Sequence, residues 1–293
     1  MKNPTVSVVG SINMDLTVST DVIPDQGETV LGNQFDTFPG GKGANQAVAA
    51  ARLGANVHFF GAVGDDVFGS SLTKHLRDEG IHTDGIETFR NKGTGTATII
   101  LSEQDNRIIV ARGANAEVTP EFAERFRSTI LKSDLILLQL EIPVETVSYI
   151  VNLASQHQIP VILNPAPYQH LTKEIIEQVA YLTPNEAEWR QLAKLPATEA
   201  ALDKMIITKG RYGAIYYENR EKRRVSGYLV DVQDTTGAGD TFNGALAAQL
   251  AAGQSIQDAI EFANAAAALS ITKLGAQNGM PDHAAVQRFM QNK

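Results

Sequence analysis

Short apolar runs alternate with stretches of helical periodicity along most of this chain, and that alternation limits the possible folds more than any other feature. Residues 6–9, 57–63, 135–140, 161–163, 181–183, 205–208 and 214–217 read as strands. Between them, residues 43–53, 67–79, 120–131, 144–156 and 173–179 carry apolar positions at helical spacing. Thr119-Pro120 marks one helix start clearly, a capping hydroxyl followed by proline at the first helical position. Strands that are apolar on both faces and alternate with helices predict an α/β fold, a doubly wound, mostly parallel sheet flanked by helices.

Two regions break the rhythm. Residues 15–19 and 28–36 alternate with period two, and residues 96–102 and 106–111 read as a hairpin turned at Glu103-Gln104-Asp105. The expectation is one α/β domain over residues 1–293, with a small β-sheet lid formed by about 15–36 and 96–111. Val30, Leu31, Ile99, Ile109 and Val110 would give the lid an apolar outer face, which predicts a homodimer through paired lids.

Composition narrows the function. With 293 residues, 43% hydrophobic and 20% charged, the chain can bury a sizeable core. Its 25 basic and 33 acidic residues give a net charge of -8, which disfavours sequence-independent binding of nucleic acid. The basic run Glu221-Lys222-Arg223-Arg224 reads as a solvated hairpin tip. With no cysteine, disulfides, thiolate metal sites and cysteine nucleophiles are excluded. No apolar signal segment or uninterrupted run of 18 apolar residues occurs, so the expected protein is soluble and cytoplasmic with no membrane partner.

The chemistry concentrates in Asp234-Thr235-Thr236-Gly237-Ala238-Gly239-Asp240-Thr241-Phe242-Asn243. This stretch joins a strand-like run, residues 228–232, to an alanine-rich helix expected from about 240 to 252. Glycines two apart at a helix entry let consecutive N–H groups converge on one point, where the helix dipole adds positive potential. An anion fits there. Asp240 reads either as a helix cap or as a base that takes a proton from a hydroxyl attacking a phosphoryl group. Farther on, Ser255 can cap a helix that packs Ile256, Ala259, Ile260, Ala263 and Ala267 into the core.

A second glycine-rich helix entry, Gly40-Gly41-Lys42-Gly43-Ala44-Asn45-Gln46, lacks the Ser or Thr after lysine that a P-loop needs. No G-x-G-x-x-G follows the first strand, which argues against a dinucleotide. The strands expected in the main sheet are followed by Gly10-Ser11-Ile12-Asn13-Met14-Asp15, Gln139-Leu140-Glu141, Asn164-Pro165, Asn185-Glu186-Ala187-Glu188 and Lys209-Gly210, a polar rim on the edge where such sheets bind ligands. Asn13, Asp15, Lys42, Asn45 and Asp240 together offer donors and acceptors for a small polyhydroxylated ligand.

The two glycine motifs, in this order and spanning the chain, resemble the signatures of the ribokinase-like (PfkB) carbohydrate kinases. The resemblance implies ATP-dependent phosphorylation of a small sugar, ribose at O5, with Asp240 as base and an anion hole from Gly237, Ala238, Gly239 and Asp240. It implies that Asn13, Asp15, Gly41, Lys42, Asn45 and Glu141 hold the sugar. Asn185, Thr208, Lys209, Gly210, Arg211, Tyr212, Gly213, Gly239 and Asn264 would serve ATP, with Glu188 in the Mg²⁺ shell. Asp234, Thr236, Ser270, Lys273, Gly275 and Gly279 would hold a monovalent cation, K⁺ in this family, several through backbone carbonyls. Gly279 stands where relatives often carry a small polar residue, and residues 185–205 leave room for only about one helix and a turn. The competing readings are a kinase of 2-deoxyribose, another sugar or a nucleoside, and a non-catalytic sugar or nucleotide sensor.

Overall fold

A computed structural model describes residues 3–102 and 105–292. The chain runs through β1 (Thr5–Val9), β2 (Asn13–Ser19), β3 (Gln34–Gly40), α1 (Lys42–Arg52), β4 (Asn56–Gly64), α2 (Val67–Asp78), β5 (His82–Phe89), β6 (Gly95–Ser102) and β7 (Asp105–Ala111). A 3-10 turn over Gly113–Glu117 leads to α3 (Pro120–Arg125), α4 (Arg127–Ile130), β8 (Leu135–Leu138), α5 (Val144–Gln156), β9 (Val161–Leu163), α6 (Lys173–Gln178), β10 (Tyr181–Leu182), α7 (Glu186–Leu192) and α8 (Pro196–Ala200). Then come β11 (Ile206–Thr208), β12 (Ala214–Glu218), β13 (Glu221–Val225), α9 (Ala238–Ala251), α10 (Ile256–Ser270) and α11 (His283–Gln291).

The main sheet has six strands in the order β10-β9-β8-β1-β4-β5, and every neighbouring pair is parallel. This is the doubly wound sheet that the periodicity predicts. In β8, Leu135 and Leu137 pack into the core beneath α1, α9 and α10, while Ile136 and Leu138 pack beneath α3 and α5. Because successive strand residues point to opposite faces, a strand covered by helices on both sides must be apolar throughout, and β8 reads Leu-Ile-Leu-Leu.

Several expectations need correction. Residues 206–208 and 214–217 are strands, but β11, β12 and β13 form a separate antiparallel sheet, connected to the main one, among the described residues, by isolated bridges at Leu182–Met205 and Asn185–Thr208. Residues 221–224 lie in its return strand rather than at a tip. The turn is made by Asn219 and Arg220, with φ of 53° and 63°. The helix expected over 120–131 breaks at Phe126, which leaves helical geometry at φ -103° and ψ 7°. Residues 185–205 hold α7, α8 and a further 3-10 turn, one helix more than the helix and turn expected. Residues 28–33 and 228–232 form no strand, and β5 escapes the pattern because His-Thr-Asp-Gly-Ile-Glu-Thr-Phe is too polar to read as a buried run.

The four-stranded sheet β3-β2-β6-β7 stands apart from the main sheet. Glu103 and Gln104 of its expected hairpin turn lie outside the described residues. Phe35, Ile108, Ile109 and Val110 are exposed on it and Leu31 in the loop that leads into it, while Val30 in that loop and Ile99 are half-buried. No helix among the described residues is long and apolar enough to cross a membrane.

Candidate active site

The carboxyl end of β1 leads directly into β2, and this junction delivers the first polar side chains. Asn13 and Asp15 are two apart on β2 and so share a face. Both are buried. Asn115, from the 3-10 turn, accepts from the Ile12 N–H at 2.9 Å and donates to the Ile12 carbonyl at 3.1 Å and to Asn13 Oδ1 at 2.7 Å. That last bond fixes the rotamer of Asn13 and leaves its amide N–H pair to donate elsewhere. Opposite, Glu141 follows β8 and accepts from the Ser11 hydroxyl and, at 3.0 Å, from the Lys42 N–H.

Asp240 sits in the first turn of α9, and its surroundings decide between the two readings of that carboxylate. The cap residue is Gly237, at φ 79°, where a side chain would collide with the Ala276 carbonyl at 2.6 Å. Asp240 caps nothing. Its Oδ2 accepts from Asn45 Nδ2 at 2.9 Å and its Oδ1 from Gln46 Nε2 at 3.0 Å, both across the molecule from α1. The Gly239 and Asp240 N–H groups, at the positive end of the helix, make no backbone hydrogen bond among the described residues, and open space lies where a Gly239 side chain would be.

Electrostatics tie these groups together. Lys42 lies among Asp15, Glu141, Glu188 and Asp240, with no ion pair within 4.0 Å among the described residues. Asp240 does most to raise its pKa; burial opposes this, and the other three carboxylates add to the rise. Asp15 is pushed up to about 7, first by burial and then by Glu141 and Asp240, against the opposing pull of Lys42.

On the other side of the α9 turn lies a cavity of roughly 530 Å³. Thr208, Gly210, Arg211, Gly213, Gly239 and Asn264 line it, as expected of ATP residues. Lys209, Tyr212 and Asn185 do not line it. Lys209 pairs with Glu186 at 3.0 Å, and Tyr212 is exposed, its hydroxyl accepting from Arg211. Asn264 uses its amide to hold the Val225 and Ser226 carbonyls. The sequence reading missed most of the rest of the wall, among it Tyr228, Leu229, Val230, Val232, Phe242, Ala267, Ala268 and Ile271. The signal lay in residues 228–232, apolar enough to resemble a strand.

Asn185 and Glu188 form a complete capping box on α7. Asn185 Oδ1 accepts from the Ala187 and Glu188 N–H groups, and Glu188 accepts from the Asn185 N–H at 2.8 Å and its amide at 3.0 Å. Burial raises the Glu188 carboxyl, opposed by the Asn185 bond and Lys42.

The segment after α10 folds back beside Asp234. The Asp234 carboxylate accepts from the Thr236 N–H at 2.9 Å and from the Gly275 N–H at 2.8 Å. Burial pushes this carboxyl up, but the bonds from Thr236 and Gly275 prevail and hold it below the usual range. Gly279 lies against the Ser270 carbonyl so tightly that a Cβ would sit 1.8 Å from it. Asp234, Thr236 and Gly275 are thus directly joined, and Ser270 meets Gly279, while Lys273 is exposed and makes no ion pair among the described residues. Gln277 connects this loop to the site by donating to Asn45 Oδ1 at 2.8 Å, and Arg52 grips the Gln277 and Met280 carbonyls.

A family model described as pfkB family carbohydrate kinase matches residues 3–283. The chain belongs to that family and is a carbohydrate kinase, a phosphotransferase. It is 46% identical over 289 residues to the ribokinase of Bacillus subtilis (strain 168), covering 97% of this chain and 99% of that protein. A deoxyribokinase of Salmonella typhi is 33% identical over 291 residues, covering 94% and 95%. The structure of Arabidopsis thaliana ribokinase complexed with ribose and ATP matches with a TM-score of 0.92 at 30% identity, covering 99% of each chain.

Proposed function

We propose that this carbohydrate kinase transfers the γ-phosphoryl group of ATP to O5 of D-ribose, giving D-ribose 5-phosphate. The observation that carries the proposal is the position of Asp240. Its carboxylate is held from α1 within the first turn of α9, with a cluster of buried polar side chains on one side and a mostly apolar cavity on the other. The sugar's primary hydroxyl would meet Asp240, which accepts its proton as the oxygen attacks. Meanwhile, the N–H groups of Gly239 and Asp240 face the charge building on the phosphoryl group.

The sugar side favours a neutral polyol. Asp15, Glu141 and Asp240 offer acceptors, and Lys42 with the Asn13 and Asn45 amides offers donors, so each hydroxyl can both give and receive. An anionic sugar would meet at least three carboxylates. Similarity to the Bacillus subtilis ribokinase at 46% identity supports ribose over 2-deoxyribose. ATP would occupy the 530 Å³ cavity, its base against Leu229, Val230 and Ile271.

The donor set fits the implied ions. Asp234 is kept ionised by its hydrogen bonds and stands beside the backbone that follows α10, so the expected cation residues offer the hard oxygens that suit potassium. The cation would order the loop behind the anion turn. Both Glu188 oxygens already accept hydrogen bonds, so Glu188 fits a Mg²⁺ shell through water rather than by direct ligation. Magnesium, when bound with ATP, neutralises phosphate charge. The β3-β2-β6-β7 sheet would serve as the lid that excludes water, and its exposed Ile108, Ile109 and Val110 would pair two chains.

An ATP-consumption assay with D-ribose, 2-deoxyribose, fructose and adenosine, each with and without potassium, tests the reading. A preference for ribose together with potassium activation is expected. Turnover of 2-deoxyribose in preference to ribose would move the assignment to the deoxyribokinase relatives. No turnover with any of them would favour a sensor.

A further inference from the structure

Gln46 enters none of the sugar, nucleotide or cation sets above, yet it is fully buried and touches the base directly. The Asp240 carboxylate can only accept, so the nitrogen end of the Gln46 amide must face it, and the Gln46 Oε1 end accepts from Gln139 Nε2 at 2.7 Å. The Nε2 group therefore points its hydrogens at Asp240 Oδ1, 3.0 Å away, and at Asn164 Oδ1, 3.1 Å away.

The chain of bonds continues and closes. Asn164 Nδ2 donates to the Thr183 carbonyl at 3.1 Å, the Thr183 hydroxyl donates to Asn243 Oδ1 at 2.6 Å, and Asn243 Nδ2 donates to the Gly239 carbonyl at 2.8 Å. Gly239 is the residue before Asp240. The ring thus starts on the base, passes through the ends of β9 and β10, and returns to the backbone of the turn that carries the base. Gln46, Asn164, Thr183 and Asn243 are all at least nine-tenths buried. Each N–H and O–H named in this buried ring meets an acceptor, and rotating any of its amides would leave buried polar atoms unpaired, so the ring favours one arrangement.

We infer that Gln46 is the positioning residue for phosphoryl transfer: it fixes the plane of the Asp240 carboxylate and, through Asn164, Thr183 and Asn243, locks that carboxylate to the Gly239 turn. The inference rests on the assignment of Asp240 as base in the proposed kinase reaction. Asn45 also donates to Asp240, but the two bonds fall on different oxygens. One bond lets a carboxylate swing about the other; two hold its plane. Gln46 thus sets which lone pair of Asp240 faces the incoming hydroxyl.

Two substitutions at this position separate positioning from simple support. Gln46→Ala removes the donor and should lower kcat on the order of 10- to 100-fold while the KM for ATP stays within about twofold, since misplacement of a reacting group acts on the chemical step. Gln46→Glu keeps the shape but turns a donor toward Asp240 into a carboxylate. It should move the acid limb of the kcat/KM profile for sugar to higher pH, a shift that loosened packing alone would not produce. Thr183→Val cuts the ring away from the base and should cost several-fold in kcat; it is the deciding variant if the Gln46 substitutions fail to fold.

Wild-type kcat with an unmoved acid limb in the Gln46 variants, or wild-type kcat in Thr183→Val where those variants do not fold, overturns the inference while leaving the kinase reading intact. A wild-type chain that consumes no ATP with any sugar overturns the kinase reading, and this inference with it.

Discussion

The two groups of side chains that meet at the first turn of α9, the proposed sugar side and the proposed nucleotide side, are built on opposite plans. On the proposed sugar side, Asn13, Asp15, Asn45, Glu141 and Asp240 are each less than one-tenth exposed, and most of their polar atoms have named partners at fixed distances. On the proposed nucleotide side the wall is largely apolar and partly open, with Leu229 at 90% and Val232 at 56% exposed. The difference follows from what each ligand offers. A small polyol has only hydroxyls to read, and a hydroxyl is distinguished by pre-placed hydrogen bonds whose loss leaves buried groups unpaired. A nucleotide base offers a broad apolar face that any apolar cleft of the right width can cover. Changes on the sugar side should therefore be severe and selective, and changes on the nucleotide side shallow.

The largest effect should come at the shared turn. Asp240→Asn should lower turnover on the order of 10² to 10⁴ while sugar binding, read by calorimetry, persists. Next comes Asn115→Ala, which takes away the partner that orients Asn13 at 2.7 Å. It should raise the KM for sugar about tenfold and leave the KM for ATP unchanged; an equal rise in both would erase the contrast between the pockets.

Asp15 sharpens the comparison through pH. Its carboxyl titrates near 7 in the free protein because burial, Glu141 and Asp240 disfavour its charge. Sugar hydroxyls donating to the ionised form would pull that pKa down, so binding releases a proton, and affinity should fall up to about tenfold for each pH unit below 7. Asp15→Asn should flatten that profile. Without sugar the sign reverses. The folded chain holds this proton between about 4 and 7 where the unfolded chain does not, so this contribution to stability declines as pH rises through that window. Thermal melts with and without ribose across pH 5 to 8 check both signs.

Gly279→Ala forces a Cβ onto the Ser270 carbonyl and should blunt activation by potassium while the potassium-free rate stays nearly constant. The smallest effect is expected from Leu229→Ala, a two- to threefold rise in the KM for ATP, because so exposed a side chain buries little area. A tenfold rise there would mean that the apolar wall reads its ligand as closely as the polar pocket does.

How much of this was legible in the sequence follows the same division. Runs such as 135–138 and 161–163 are apolar on both faces and could only be strands between helices, so the main sheet was readable residue by residue. β5 was not, since its edge position tolerates polar residues. Residues 228–232 misled for a physical reason: four of the five, all but Asp231, are apolar because they border a cavity or the core beside it, not because they pair in a sheet. In the site, the glycine-rich helix entries and the strand-end Asn and Asp residues were visible as motifs. Asn115 and the role of Gln46 were not, because each acts through contacts with residues about 100 or more positions away and leaves no local pattern.

The most direct test of the central claim is ADP production by the wild-type chain and by Asp240→Asn, with and without D-ribose, at saturating ATP and potassium. Ribose-dependent turnover is expected in the wild type and should nearly vanish in the variant while ribose still binds. Ribose-dependent turnover in Asp240→Asn close to the wild-type rate would contradict it.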